Sequence, residues 1–319
     1  MIAVLGAFDG YHLGHQKLLR TAAELALKTG AQAEWGVVTF SPHPGTVVGG
    51  RNIPVLFTDR ERDFLGRLFQ IPATLKISFS RALAELSPTD FLDYLEDILP
   101  LSGIVVGADF RFGRNREGDR RFIEEEARRR GWLFEAVEPL TVNGEKVASS
   151  SIRSHVAHGA MNSAARLLGY PFFLAGPVVK GDGRGTALGF PTANIAYPPE
   201  KVLPRRGVYA ASVYTRTGWR AGALNVGVNP TFNEDGKELR AETYIIEFDG
   251  TLYGEEIVVF IEEFLREEKK FRSPELLVSC MKDDAERAAR HFASSEPGKE
   301  KFFRNAGELL GEVFRLSVP

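Results

Sequence analysis

The chain has 319 residues, long enough for two domains, and its 44% apolar and 26% charged residues are typical of globular proteins. A formal net charge of −2 gives no bulk positive field, which argues against nucleic acid or an anionic membrane surface as a partner. The single cysteine, Cys280, excludes an intrachain disulfide and a cysteine-based zinc cluster, and we expect it on a C-terminal helix. Without a membrane-spanning apolar run or a signal-peptide pattern, the sequence predicts a cytoplasmic protein.

The chain opens with a buried strand over residues 2–5, a glycine-rich turn and a helix from His15 to Lys28. Such a turn binds phosphate well, because free backbone N–H groups and the helix dipole both favour an anion. His12 and His15 flank Gly14 in this turn, and imidazoles there can stabilise the charge that develops in phosphate transfer. The alternative is a helix cap and a surface residue, but two histidines on one such turn favour the phosphate site.

Strands and helices then alternate, which is typical of a parallel sheet wrapped by helices. The predicted strands cover 33–40, 74–79, 103–106 and 132–137, and the predicted helices cover 59–69, a segment opened by residues 87–90, and 120–130. Pro42 and Pro44 bracket His43 in a rigid bend at the carboxyl end of the second strand, where ligands bind in such sheets. His43 is either structural or lines a pocket.

Beyond Pro171 the pattern changes to short β-rich runs separated by turns, which predicts a small antiparallel barrel. The predicted strands cover 172–179, 207–214, 220–228, 241–248 and 257–264, and a helix over 274–291 would pack on the barrel. We place the domain boundary at residues 169–171 and expect one more helix over 299–314. The predicted domains are 1–170, 171–293 and a C-terminal extension, 294–319.

The segment KGDGRGTALGFPTAN, residues 180–194, could fold backbone amides around phosphates or form a flexible turn between strands. It lacks the pattern of the common P-loop. Thr192 and Asn194 lie two residues apart on one strand face, and their hard oxygen atoms suit Mg²⁺ bridged to nucleotide phosphates.

These motifs together resemble the bacterial bifunctional riboflavin kinase/FMN adenylyltransferases, often called FAD synthetases. The first half carries GAFDGYHLGH (6–15), the PHP bend, GADFRFG (107–113) and VASSSIR (147–153). The second half carries the flavokinase-like GRGTALGFPTAN (183–194), GVYA (207–210), NVG (225–227), PTF (230–232) and FLREEKKF (264–271). The resemblance spans residues 2 to about 293. It implies a Rossmann-like α/β nucleotidyltransferase domain, then a small antiparallel β-barrel with a C-terminal helix.

The resemblance also implies roles for individual residues. Catalysis would fall to His12 and His15 in the adenylyltransferase and to Glu242, as general base, in the kinase. Adenylyltransferase ATP would be bound by Gly6, Phe8, Asp9, Gly14, Ser150 and Arg153, and FMN by His43, Asp109 and Arg111. Kinase ATP would be bound by Gly181, Gly185 and Gly189, the flavin by Arg266, Glu268 and Phe271, and Mg²⁺ by Thr192 and Asn194.

Four positions depart from the family pattern: Ala148, Ser150, Tyr244 and Glu247. The first two are mild because Ser149 and Ser150 keep a hydroxyl, whereas Tyr244 replaces the histidine that usually follows the general base. Since Glu242 itself is present, we still expect an active kinase.

The resulting hypothesis is an enzyme that uses ATP and Mg²⁺ to phosphorylate riboflavin to FMN, then adenylylates FMN to FAD with release of pyrophosphate. Two alternatives stand beside it. Only the adenylyltransferase is active and the barrel is a flavin-binding or regulatory module, or the protein is a non-catalytic nucleotide-binding protein. The expected partners are small molecules. The sequence leaves open whether the protein forms homo-oligomers, whether FMN passes directly between the sites, and what residues 294–319 do.

Overall fold

The computed structural model describes residues 1–29, 34–50, 53–228, 239–294 and 297–316. The chain divides into two compact units, Met1–Ser149 and Ser150–Pro319, which we call the first and second unit. This division comes earlier in the chain than residues 169–171, because the helices that follow Ser149 group with the barrel.

The first unit is built on a five-stranded parallel sheet. Its strands are β1 (Ile2–Leu5), β2 (Trp35–Ser41), β3 (Thr74–Ser78), β4 (Gly103–Gly107) and β5 (Leu133–Val137). They lie in the order β3-β2-β1-β4-β5, so β1 is central, and all four of its residues are buried. A central parallel strand covered on both faces has apolar side chains throughout, which is why the opening run could be recognised as a strand. The predicted alternation of strands and helices is confirmed.

The helices of the first unit are α1 (Leu13–Lys28), α2 (Pro44–Gly49), α3 (Asp59–Leu68), α4 (Arg81–Ala84), α5 (Pro88–Ile98) and α6 (Arg120–Arg130). A short hairpin, β6 (Thr141–Val142) and β7 (Glu145–Lys146), follows β5. The Ser87 hydroxyl caps α5 and Pro88 occupies its first turn, as their order in the sequence predicts. The short helices α2 and α4 and the hairpin were not predicted.

The second unit contains a closed barrel of six antiparallel strands. They are β8 (Phe173–Val179), β9 (Thr192–Ile195), β10 (Gly207–Thr215), β11 (Gly218–Val228), β12 (Leu239–Ile245) and β13 (Glu256–Arg266). Around the barrel they follow the order β10-β11-β12-β9-β8-β13. The predicted barrel is confirmed, and the short strand β9, which carries the predicted magnesium ligands, completes it between β12 and β8.

The helices of the second half are α7 (Ser149–Ala157), α8 (Met161–Leu168), α9 (Arg184–Ala187), α10 (Pro274–Ala293) and α11 (Pro297–Leu316). Cys280 lies on α10, as expected, and Ala288 of that helix packs against Val208 and Leu265 of the barrel. The predicted extra helix is confirmed as α11, whose Phe303 packs edge-on against Trp219, with ring centroids 4.7 Å apart. None of the helices described combines the length and the apolar composition that a bilayer crossing requires.

Candidate active sites

The loop between β1 and α1 has a strained backbone. Phe8 and Tyr11 have φ angles of 46° and 36°, in the left-handed region that residues with a side chain rarely adopt. Both rings are buried and stack with their centroids 5.4 Å apart. Strain of this kind persists where the surrounding packing holds it, and it is frequent at ligand sites.

Asp9 anchors the same loop from inside the protein. Its carboxylate is 3% exposed and accepts the backbone N–H groups of Leu56, at 2.9 and 3.1 Å, and of Phe57, at 3.2 Å. Neither Asp9 nor Phe8 is among the residues that line the neighbouring cavity. Both side chains therefore support the loop, and a contact of either with ATP stays a prediction.

We expect Asp9→Ala to lower the free energy of unfolding of the first unit by about 3 kcal/mol, because two buried N–H donors lose a charged acceptor. Asp119→Ala is the matched control, since it removes the N-cap of α6 and a weak, partly exposed ion pair with Arg111, and it should cost about 1 kcal/mol. Urea unfolding in a Trp219→Phe background, followed by the fluorescence of Trp35 and Trp132 in the first unit, measures both changes. Equal losses in the two variants would contradict the anchoring role of Asp9.

His12 and His15 stack on one another at the start of α1, with ring centroids 3.6 Å apart and planes inclined by 11°. His12 is the N-cap of this helix, because its Nδ1 accepts the backbone N–H of His15 at 3.2 Å. The helix therefore begins at Leu13, before the predicted start at His15. Since Nδ1 accepts a hydrogen bond, the neutral ring of His12 carries its proton on Nε2. A Cβ on Gly14 would lie 3.2 Å from the His12 ring, so a larger residue there would press on it.

Both imidazoles are neutral at pH 7. Burial lowers the pKa of His12 to about 4, and burial together with the adjacent His12 lowers the pKa of His15 well below its usual value. Each ring therefore supplies one N–H donor and no positive charge. The Nδ1 of His15 is buried and has no hydrogen-bond partner among the residues that the structure describes. A buried polar atom without a partner requires an explanation, and a bound ligand supplies one.

The low pKa of His12 predicts that acid destabilises the first unit. In the unfolded chain His12 becomes protonated below pH 6.5, whereas in the folded protein it stays neutral down to about pH 4. The free energy of unfolding therefore decreases as the pH falls through this range. The shift from 6.5 to about 4 corresponds to about 3 kcal/mol for His12 alone. His12→Asn keeps a capping side chain without the titration. The difference in unfolding free energy between the two proteins, from urea titrations, should therefore change between pH 7 and pH 5, and a constant difference would contradict this pKa.

A cavity of about 980 Å³ opens beside the two histidines, and all its walls belong to the first unit. We call it the histidine cavity. Ligand pockets typically enclose about 300–1,000 Å³, so this one has room for two substrates together. Its walls include the predicted site residues Gly6, His12, Gly14, His15, His43, Asp109 and Arg111.

Charged side chains line the cavity wall that follows β4. The Asp109 carboxylate pairs with Lys146 Nζ at 2.6 Å, and Arg111 Nη1 pairs with Asp119 at 2.8 Å. Lys146 lines the cavity but was not predicted, because a lone lysine in a hairpin carries no motif. Both ion pairs are largely exposed and therefore weak enough to rearrange around a ligand.

Three further arginines, Arg81, Arg114 and Arg116, line the same cavity and were also not predicted. Together they make part of the wall positively charged, which suits phosphate groups. His43 fits both alternatives left open by the sequence. Its Nδ1 accepts the N–H of Gly45 at 3.1 Å and so caps α2, and its side chain also lines the cavity.

Only the first three residues of the motif VASSSIR, 147–149, belong to the first unit. Ser149 lines the histidine cavity, and its hydroxyl donates to the backbone carbonyl of Asp9 at 3.0 Å. Ser150 and Arg153 follow on α7, beyond the division between the two units. Their role in binding ATP stays a prediction.

A second cavity, of about 150 Å³, lies in the barrel, and we call it the barrel cavity. Its walls are Asp182, Gly183, Arg184, Gly185, Thr192, Asn194, Asn225, Gly227, Val228, Arg240 and Glu242. The predicted base and the predicted metal ligands therefore meet in one place. They do so because β12 lies between β9 and β11, with Glu242 opposite both Asn194 and Asn225.

The carboxyl of Glu242 is partly buried, and burial raises its pKa above the usual value while the nearby Arg240 opposes the rise. A higher pKa makes a carboxylate a stronger base near neutral pH. Thr192 and Asn194 add a hydroxyl and an amide oxygen, which are the hard donors that Mg²⁺ accepts. The donor set of the barrel cavity thus fits a magnesium ion bound together with phosphates.

The three glycines predicted to bind kinase ATP occupy different environments. Gly185 lines the barrel cavity. Gly181 packs so closely on Asn194 that a Cβ would lie 2.2 Å from the amide nitrogen, so this glycine lets the segment approach β9. Gly189 has a φ of 84°, a conformation that favours glycine.

The predicted flavin-binding residues lie at and beyond the end of β13. The Arg266 guanidinium forms a bidentate pair with Asp284 of α10, with contacts of 2.7 to 3.0 Å, and lies 5.7 Å from the centroid of the Phe271 ring. The side chain of Glu268 lies against Gly227, which lines the barrel cavity. Arg266 therefore ties the barrel to α10, and flavin contacts by these residues stay a prediction. Of the flavokinase-like motifs, PTF at 230–232 lies outside the described residues.

Comparison with known proteins assigns both halves of the chain. The FAD synthetase family model matches residues 1–151, and the riboflavin kinase family model matches residues 168–292. The bifunctional riboflavin kinase/FMN adenylyltransferase of Listeria monocytogenes is 33% identical, over 92% of this chain and 93% of its own length. Its counterpart from Pseudomonas fluorescens is 34% identical with the same coverage. The chain belongs to the bifunctional riboflavin kinase/FMN adenylyltransferase family.

Each of the two family matches contains one of the two cavities. The FAD synthetase match contains all the walls of the histidine cavity, and the riboflavin kinase match contains the whole barrel cavity. Among solved structures, one described as a "Macrolide-efflux Protein from Streptococcus pneumoniae" has a TM-score of 0.82 and 29% identity, covering 91% of this chain and 93% of that one. This solved structure and the present member of the riboflavin kinase/FMN adenylyltransferase family share the same fold.

Proposed function

We propose that the barrel phosphorylates riboflavin to FMN and that the first unit adenylylates FMN to FAD, each reaction consuming ATP. The observation that carries this proposal is the pairing of each family match with one cavity lined by residues suited to its reaction. The adenylyltransferase would occupy residues 1–170 and the kinase 171–293, with residues 294–319 outside both. The expected small-molecule partners are ATP, riboflavin and FMN, and the cytoplasmic location stays a prediction.

In the adenylyltransferase, a phosphate oxygen of FMN attacks the α-phosphorus of ATP, and the bond to the β-phosphate breaks to release pyrophosphate. Negative charge shifts onto the α-phosphoryl oxygens and the leaving group, and preorganised donors stabilise it. With Nδ1 of His12 engaged in the helix cap, its Nε2–H is the donor left for a phosphate oxygen. His15, in the first turn of α1 and stacked on His12, adds a second neutral donor. The arginines of the cavity wall supply positive charge to the phosphates.

In the kinase, Glu242 would accept the proton of the riboflavin 5′-hydroxyl as that oxygen attacks the γ-phosphorus and ADP leaves. Its raised pKa favours this proton transfer over that of an ordinary exposed carboxylate. Thr192 and Asn194 would hold Mg²⁺ with the ATP phosphates, and the ion would neutralise phosphate charge there. Because Gly181 has no side chain, its backbone packs closely on the amide of Asn194, which lines the barrel cavity.

The test is an incubation of the full chain with riboflavin, ATP and MgCl₂, with flavins resolved by chromatography over time. We expect FMN first and FAD after it, and a chelator such as EDTA should stop both. FMN supplied in place of riboflavin isolates the second step. FAD from FMN without FMN from riboflavin would establish the alternative in which the barrel only binds flavin, and no product in either assay would overturn the proposal.

A further inference from the structure

Two arginines, Arg184 and Arg240, line the barrel cavity, and the proposed kinase reaction uses neither of them. Arg240 lies two residues before Glu242 on β12, so both side chains leave the same face of the strand, about 7 Å apart at their origins. Both line the barrel cavity, together with Thr192 and Asn194. Among the residues that the structure describes, the charged groups near the Glu242 carboxyl include Arg240, Asp182, Arg184 and Glu268, and Arg240 opposes the rise of the Glu242 pKa that burial causes.

The small volume of this cavity limits what Arg240 can contact. At about 150 Å³ it falls well below the range of about 300–1,000 Å³ typical of pockets that enclose whole ligands. It accommodates the part of the substrates where the bond changes occur. A general base lies within hydrogen-bond reach of the attacking hydroxyl, so Glu242 places the γ-phosphorus of ATP in this cavity. A guanidinium lining the same space comes within reach of the γ-phosphoryl oxygens.

The present partner of Arg240 is easily exchanged. Its Nη1 lies 3.4 Å from Asp182 Oδ1, and the two side chains are 32% and 34% exposed. Such an ion pair contributes little, because water already screens both charges. A phosphoryl group carries more negative charge than one carboxylate and accepts parallel hydrogen bonds from a guanidinium. Arg184, whose side chain is 66% exposed, contacts the other oxygen of that carboxylate, Asp182 Oδ2, at 3.7 Å.

We propose that Arg240 is a further substrate-binding residue of the kinase, whose guanidinium leaves Asp182 to bind the γ-phosphoryl group of ATP. The inference rests on the proposed kinase function. As the oxygen of riboflavin bonds to the γ-phosphorus and the bond to ADP breaks, the equatorial oxygens carry the charge that Arg240 stabilises. The contact exists with ATP and in the transition state but is lost with ADP, which has no γ-phosphoryl group.

The test compares Arg240→Met with the unchanged full chain in the riboflavin kinase assay, counting FMN plus FAD as product. We expect kcat/KM for ATP to fall by about 100-fold or more, the usual effect of losing one charge-stabilising donor. The inhibition constant of ADP against ATP should not change. Arg240→Lys should recover part of the loss, since lysine keeps the charge without the guanidinium geometry. Arg216→Met is the matched control, because that arginine lies in the turn between β10 and β11, pairs with Glu255 at 2.8 Å and does not line the barrel cavity.

Asp182→Asn separates this role from a merely structural one. If Arg240 only tied the segment 180–189 to β12, Asp182→Asn would break the same ion pair and reproduce the defect of Arg240→Met. Under our proposal, Asp182→Asn leaves the preference of the kinase for ATP over ADP unchanged. Equal loss of ATP and ADP affinity in Arg240→Met, or an unchanged kcat/KM, would overturn the inference. An unchanged chain that makes no FMN would instead defeat the kinase assignment itself, so the two failures are distinguishable.

Discussion

His12→Ala should abolish FAD formation from FMN while riboflavin is still phosphorylated at the unchanged rate. The substitution removes the Nε2–H donor that lines the histidine cavity, and loss of one such donor typically slows a reaction by about 100- to 1,000-fold. The stacked His15 also loses its neighbour at 3.6 Å, which adds to the effect. The kinase residues lie in the second unit and should not respond.

The N-cap role of His12 complicates this experiment, because alanine removes the cap as well as the donor. His12→Asn resolves it, since asparagine is a favourable N-cap but has no imidazole. Both variants should lose FAD formation, whereas only His12→Ala should lose about 1 kcal/mol of helix stability from the missing cap. Flavin chromatography with FMN as substrate and urea unfolding measure the two effects separately. Full activity in a folded His12→Asn would show that the cap is the whole function of His12.

The order of strands and helices was predictable because local sequence patterns indicate it. Apolar runs such as residues 2–5 mark buried strands, and the change from alternating strands and helices to short β-runs near Pro171 marks the barrel. The motif residues His12, Thr192 and Glu242 were predictable by resemblance, and the structure adds how they meet. Glu242 reaches Asn194 only because β12 pairs with β9 in a register that no local pattern specifies.

Other features depend on contacts between distant segments, and the sequence carried no local signal for them. Lys146 lines the histidine cavity and pairs there with Asp109, a residue 37 positions earlier in the chain. Arg266 was predicted to bind flavin, yet its guanidinium is engaged by Asp284, a residue of a helix later in the chain. Asp9 belongs to a phosphate-binding motif, but its carboxylate faces the backbone of residues 56 and 57. In each case the side chain's partner, which decides its role, is set by tertiary packing.

Glu242→Gln should produce the opposite result to His12→Ala: no phosphorylation of riboflavin, with FAD formation from supplied FMN intact. Glutamine keeps the size and hydrogen-bonding capacity of the side chain but cannot accept the proton of the 5′-hydroxyl. A positioned general base typically contributes about 100- to 10,000-fold, which is the expected loss in kcat. Glu286→Gln is the control, since Glu286 is 69% exposed on α10 and pairs only loosely with Arg290, at 3.8 Å.

The pH dependence of the kinase distinguishes a base from a residue that merely holds the barrel strands together. Burial raises the pKa of Glu242 above 4.5. The kcat/KM of the kinase should therefore rise with pH, and the midpoint of this acid limb should lie above pH 4.5. Glu242→Gln should flatten this limb in whatever activity is left, whereas a structural defect would lower the rate equally at every pH. An acid limb that survives in Glu242→Gln would assign the proton transfer to another group. The barrel cavity would then bind the phosphates without supplying the base, and the carboxylate opposite Asn194 would serve binding alone.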